Sequence, residues 1–166
     1  MSSPPPTRGW FAPRPPTVAI EVTSRRVTVA SLAGVSGRRT VAAYASEPLP
    51  AGVVQPSLAD PNIASVEAVT TSLAKALDSA GLRGARRTAL VVPDAVARVT
   101  FVTLAEVPAR PAELESVLRW QVRKSVPFPI DDARIGHVVA HRDAGGVTFG
   151  VVVARRAVVA EYEAVT

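Results

Sequence analysis

The clearest apolar pattern in the chain lies in residues 111–126, where aliphatic side chains recur at helical spacing. Four of them share one face: Leu114, Val117, Leu118 and Val122. This spacing predicts an amphipathic helix with a buried stripe. Pro111 suits the first turn of such a helix, where no backbone N–H partner is needed. Charged residues four positions apart predict a solvated ladder on the opposite side: Glu115, Arg119 and Arg123. Pro127 and Pro129 then stop the helix, because neither carries an N–H and each restricts the residue before it.

Other stretches predict strands and two further helices. Alternating or β-branched runs predict strands over 17–24, 27–32, 38–46, 88–92, 98–104, 134–141 and 147–154. Apolar spacing between residues 63 and 80 predicts a helix that is capped by Ser65 or Asn62 and ended by Gly81. A last helix begins at Arg155. The order β-β-β-α and then β-β-α-β-β-α predicts an α+β fold. The glycine-rich basic link near 81–87 divides it into units of 17–83 and 87–166.

The first sixteen residues carry six prolines. This composition predicts a polyproline-like or disordered leader over 1–16. Trp10 and Phe11 lie inside it and leave two interpretations open. They are incidental aromatic residues in a floppy leader, or they dock on the domain or on a partner.

Composition and charge exclude several classes of function. The absence of cysteine excludes disulfides and cysteine-based metal sites, which fits a cytosolic protein. The net charge of +5 comes from scattered arginine pairs without a long basic cluster, so we expect no nucleic-acid binding. The best apolar run, 147–154, stops at Arg155, well short of the roughly 18 residues that a membrane-spanning helix needs. There is no signal-peptide core. We therefore expect membrane association only through a partner.

A resemblance to a known family rests on the helix at 111–126. This helix is followed by V-P-F-P-I-D-D at 126–132 and preceded by a strand and V-V-P at 91–93. The arrangement resembles PilM, the actin-like inner-membrane assembly protein of type IV pili, whose relatives include FtsA and GspL. The resemblance implies the N-terminal part of an actin-like (ribonuclease H-like) fold. Residues 17–83 would be subdomain 1A and residues 87–166 the inserted subdomain 1C, also called SHS2. It also implies a second lobe, which we expect to be absent here.

The resemblance further implies a phosphate-binding first hairpin. Family members have an acidic residue, an aliphatic one, then Gly-Ser-x-Ser and often a lysine. Here Thr23 replaces the glycine, Arg26 replaces the second serine, and Thr28 stands where the lysine is expected. A side chain at Thr23 should crowd a phosphate, although arginines attract phosphate by charge. Five residues form the candidate nucleotide site: Glu21, Thr23, Ser24, Arg25 and Arg26. We expect a degenerate hairpin without ATP hydrolysis and without a cofactor; ATP and magnesium are expected only in a longer form.

Two aromatic residues are candidate partner contacts: Trp120 and Phe128. Trp120 lies on the flank of the predicted helix beside basic residues, a composition common at interfaces, and packing between the two subdomains is an equal alternative. His137 and His141 lie in a predicted strand, about 13 Å apart, and are too far apart to share a metal. Asp131 and Asp132 form a solvated turn. We therefore expect no metal site and no catalytic residue.

The resemblance implies a non-catalytic cytoplasmic scaffold, peripheral to the inner membrane. It would bind the short cytoplasmic tail of a PilN-like membrane protein in a groove between 1A and 1C, through apolar pockets and backbone pairing. Pilus motor or assembly proteins are further expected partners. Two alternatives stay open. One is a truncated actin-like ATPase or nucleotide switch. The other is a GspL-type secretion or FtsA-type division component, because fold alone does not settle function.

Overall fold

A computed structural model describes residues 15–34 and 39–166. The predicted order of strands and helices is confirmed, with boundaries that shift by a few residues. The predictions for Trp10 and Phe11 lie outside the described residues. The strands are β1 (Val18–Val22), β2 (Arg26–Ala33), β3 (Thr40–Pro48), β4 (Thr88–Val91), β5 (Ala97–Leu104), β6 (Ala133–Asp143) and β7 (Gly146–Arg155). The helices are α1 (Val66–Ser79), α2 (Pro111–Val122) and α3 (Arg156–Ala164).

The first sheet has the order β3-β2-β1-β4. The strands β1, β2 and β3 are joined as antiparallel neighbours, whereas β4 pairs with β1 in parallel, with Val18 opposite Thr88. Helix α1 covers β2 and β3. Its N-cap is Ser65, whose hydroxyl accepts a hydrogen bond from the N–H of Ala68 at 3.2 Å. Gly81 follows its end with φ +67°, as expected for a glycine that stops a helix.

The second sheet is antiparallel, with the order β5-β7-β6. Helix α2 packs on it through the predicted stripe: Leu118 and Val122 are fully buried, and Leu114 and Val117 pack partly buried against the same core. The turn from β6 to β7 depends on Gly146, which has φ +128°. A Cβ at this position would lie 2.2 Å from the carbonyl oxygen of Leu104, so a close backbone approach requires glycine.

The two predicted units do not coincide with the two sheets. Strand β4 lies in the first sheet, and α3 contributes Val158, Tyr162 and Val165 to the first core. Both elements had been expected in the unit 87–166. The local sequence shows that β4 needs a neighbouring strand and that the apolar stripe of α3 needs a buried surface. It does not show which of the two sheets supplies them, because the partner strand β1 lies far away in the chain. The division into subdomains 1A and 1C stays a prediction.

Candidate functional site

The turn that joins β1 to β2 is closed by the hydroxyl of Thr23. This hydroxyl donates a hydrogen bond to the carbonyl of Arg26 at 3.0 Å. The same oxygen accepts from the backbone N–H groups of Arg25 at 3.3 Å and Arg26 at 3.2 Å. The backbone N–H of Thr23 also donates to the carbonyl of Arg26, at 3.0 Å. The backbone N–H groups of Thr23, Arg25 and Arg26 and the carbonyl of Arg26 are therefore satisfied within the chain.

This geometry bears on phosphate binding at the five candidate residues. Glu21 lies in β1, opposite Thr28, and the other four residues lie in the turn or at the start of β2. The N–H groups of Arg25 and Arg26, which could otherwise bind a phosphate, already have the Thr23 oxygen as acceptor. Ser24, Arg25 and Arg26 are exposed. At the position of the expected lysine, the Thr28 hydroxyl lies 3.2 Å from the Ser46 hydroxyl, within the sheet. The turn can therefore attract a phosphate only through the positive charges of the exposed Arg25 and Arg26 side chains.

A groove of about 460 Å³ lies where α3 meets the 3-10 turn Ile130–Asp132. The residues that line it are Asp132, Arg155, Arg156, Ala157 and Ala160. The guanidinium of Arg155 donates to the carbonyl of Ala59. Ala59 packs against the second core, whereas α3 packs into the first core. The groove therefore lies at the junction of the two sheets.

One side of this junction is fixed by a buried hydrogen-bond network around Asn62, which is 1% exposed. Its Oδ1 accepts from the hydroxyl of Tyr162 at 3.1 Å and from the N–H of Ser57 at 2.9 Å. The carboxylate of Glu161 accepts from the backbone N–H groups of Asn62 at 2.7 Å and Ile63 at 2.9 Å. Burial, with a smaller contribution from the negative charge of Glu161, raises the pKa of Tyr162 to about 12. Two neighbouring side chains of α3 thus hold the loop that carries Ala59.

The two predicted partner contacts differ in exposure. Trp120 is 59% exposed, and the guanidinium of Arg123 stacks over its ring at 4.4 Å. The alternative in which Trp120 packs between the two subdomains is therefore wrong. Phe128 is 8% exposed and belongs to the second core, so its side chain is not a surface contact, contrary to our expectation. Helix α2 ends at Val122, before Pro127 and Pro129, and the chain then turns back so that the ring of Phe128 lies in the second core.

The histidines and the aspartate pair form no common site. His137 packs edge-on against Phe149, with ring centroids 5.7 Å apart. The Nε2 atom of His141 lies 3.3 Å from a carboxylate oxygen of Asp143. Asp131 and Asp132 are exposed in the turn that follows Pro129. Among residues 15–34 and 39–166, no group of three or more side chains could hold a metal ion.

The resemblance implied a groove between 1A and 1C, but the residues that line this groove were not predicted from the sequence. Its arginines were visible only as one of several scattered pairs, and Ala157 and Ala160 carry no chemical signal of their own. The i, i+3 spacing of two alanines beside an arginine pair is the single local hint. The loop at Ala59 that completes the junction comes from nearly one hundred residues earlier in the chain.

These features define a mixed α+β protein with two sheets and a groove at their junction. The fold is similar to a chain of the PilM–PilN type IV pilus biogenesis complex, with a TM-score of 0.73 at 20% identity. The match covers 92% of this chain and 44% of that one, so the chain spans less than half of its length. The cytoplasmic domain of EpsL, an inner membrane component of the type II secretion system of Vibrio cholerae, matches at 14% identity with a TM-score of 0.49, over 89% of this chain and 52% of that one.

The family follows from the sequence itself. The family model described as type IV pilus assembly protein PilM matches residues 19–164, and the chain belongs to this family. A search of curated proteins finds no significant match. Within the described residues, no helix has the length and apolar character needed to cross a bilayer.

Proposed function

We propose that the chain is a non-catalytic scaffold of a type IV pilus assembly platform, at the cytoplasmic side of the inner membrane. In this role it binds the cytoplasmic tail of a PilN-like membrane protein. The observation that carries the non-catalytic part is the Thr23 hydroxyl, which occupies the N–H groups of Arg25 and Arg26. A phosphate would have to displace this hydroxyl and break hydrogen bonds that the turn already makes.

The groove at the sheet junction is the proposed binding site for the tail. It is bordered by elements of both cores, and the Glu161–Asn62 and Arg155–Ala59 hydrogen bonds hold its borders together without a ligand. A preformed site costs less ordering free energy on binding than one that must be assembled. Membership of the PilM family supports a PilN-like partner. The fold similarity to a chain of the PilM–PilN complex is consistent with that choice.

The tail interaction is tested by calorimetric titration of the purified chain with a synthetic PilN-like cytoplasmic tail. We expect binding that weakens at least about tenfold in Ala160→Trp, because the indole would fill the groove. Ala112→Trp is the matched control, since Ala112 is exposed at the start of α2 and lies outside the groove lining. No binding at high micromolar concentration, or equal loss in both variants, would contradict the proposal.

The non-catalytic part is tested by magnesium–ATP turnover beside a Ser24→Ala control. We expect turnover at background in both proteins, because the closed turn cannot hold the phosphates in an in-line geometry. Weak nucleotide binding through the Arg25 and Arg26 charges would fade as salt is raised. Turnover above background that disappears in Ser24→Ala would show that the turn is catalytic.

A further inference from the structure

The lining of the groove carries more positive than negative charge. Two guanidinium groups and one carboxylate face it, those of Arg155, Arg156 and Asp132. Within the described part of the chain, none of these three side chains lies within 4.0 Å of an opposite charge. Further along α3, Glu161 is occupied by the backbone of Asn62 and Ile63. The groove lining therefore has a formal charge of +1, and no described side chain of opposite charge lies within 4.0 Å to neutralise it.

Both arginines are held in place by neutral acceptors. Arg155 donates to the carbonyl of Ala59. The Nη2 atom of Arg156 lies 3.4 Å from the carbonyl of Asp131 and 3.3 Å from that of Ala133. These hydrogen bonds orient the side chains and leave their charges uncompensated. An arginine fork keeps further N–H donors when one of them is used, and its geometry matches a carboxylate.

The remaining lining is small and apolar. Ala157 and Ala160 lie one helical turn apart on α3 and are exposed. Their methyl groups leave room for an apolar side chain of a ligand beside the two guanidinium groups. An extended peptide with an acidic residue next to an apolar one would complement both the shape and the charge.

We propose that this groove selects a tail segment with an acidic side chain, which binds the guanidinium group of Arg156 with support from Arg155. This inference rests on the proposed function, because it concerns the same groove, and it adds the charge of the segment. An isolated, partly exposed ion pair is worth up to about 1 kcal/mol, or roughly fivefold in affinity. We therefore expect Arg156→Gln to weaken tail binding by about two- to fivefold.

The test is a double-mutant cycle measured by calorimetry. One axis is the PilN-like tail against the same peptide with its acidic residues replaced by their amides. The other is the unmodified chain against Arg156→Gln. We expect each change alone to weaken binding and the second change to add little. Arg156→Lys should retain most of the affinity, and raised salt should lower it. The control is Arg142→Gln, an exposed change outside the groove lining that should leave the affinity unaltered.

The outcomes separate this inference from the proposed function. If neither peptide binds, the scaffold role in tail binding fails, and the inference fails with it. If both peptides bind equally, or a tail without an acidic residue binds and Arg156→Gln has no effect, the scaffold role stands and the inference is wrong. Thermal unfolding of each variant shows that any loss of binding comes from a folded protein.

Discussion

Replacing Leu118 by Ala should lower the free energy of unfolding by about 2–5 kcal/mol. Leu118 is fully buried in the second core, where α2 meets the sheet. The change removes three carbon atoms, which are worth about 0.8 kcal/mol each in transfer from water, or about 2.4 kcal/mol together. The cavity left behind adds to this value in proportion to how little the neighbours relax. Relaxation is limited by neighbours in the same core: Val122, Phe128 and Val151. The sheet holds Val151, and the prolines on either side of Phe128 restrict its backbone.

Urea denaturation measures this effect, with the slope of the transition as a check that the unfolded states are comparable. Gln121→Ala, an exposed change on the same helix, should alter the free energy by no more than about 0.5 kcal/mol. A loss below roughly 1 kcal/mol for Leu118→Ala would show that the α2 stripe faces solvent or a partner. An equal loss in both variants would mean that the helix itself, and not its buried face, determines the cost.

Three further predictions concern the glycine of the β6–β7 turn, the buried Tyr162 and the effect of magnesium–ATP on stability. Gly146→Ala should cost more than about 2 kcal/mol in chemical unfolding, because its Cβ would lie 2.2 Å from a carbonyl oxygen at φ +128°, whereas Gly136→Ala, with open space around it, should be close to neutral. Because the pKa of Tyr162 is about 12 when folded and 10.0 when unfolded, the unfolded state loses its proton first, and stability should fall as pH rises from 10 toward 12, by at most about 1.4 kcal/mol per pH unit. Tyr162→Phe should remove that fall, and Tyr44→Phe, at an exposed position, should not. Magnesium–ATP should leave the melting temperature unchanged, since a ligand at one hundred times its Kd would add about 2.7 kcal/mol and raise it by several degrees.

Local patterns predicted most of the secondary structure because each depends on neighbouring residues alone. The stripe of α2, the Ser65 cap and the Gly81 stop are examples: the residues that decide them are within one or two helical turns. The same applies to the β6–β7 turn at Gly146. The PilM resemblance also rested on a continuous segment, and the family match confirms it.

Tertiary partners were not predictable in this way. Strand β4 is short and can pair with any free edge; only the assembled first sheet shows that β1 provides it. Phe128 was a candidate partner contact in a predicted extended link, but such a link can still direct a ring into a core. The groove combines α3, the turn at Asp132 and the loop at Ala59, and no local pattern connects them.

We propose that the threonine at position 23 preserves the fold of the candidate phosphate site while removing its chemistry. Glycine at position 23 would leave the N–H groups of Arg25 and Arg26 open to a ligand. Threonine supplies an oxygen to those same groups and a proton to the carbonyl of Arg26. The Thr23 oxygen therefore serves as the acceptor that a bound phosphate would otherwise provide, and the turn can keep its geometry without a ligand. At the position of the expected lysine, the Thr28 hydroxyl likewise has a partner inside the chain, the hydroxyl of Ser46. A hairpin with satisfied backbone groups can serve as a rigid support for the neighbouring strands, which is consistent with the proposal that the tail binds at the junction where the two sheets meet.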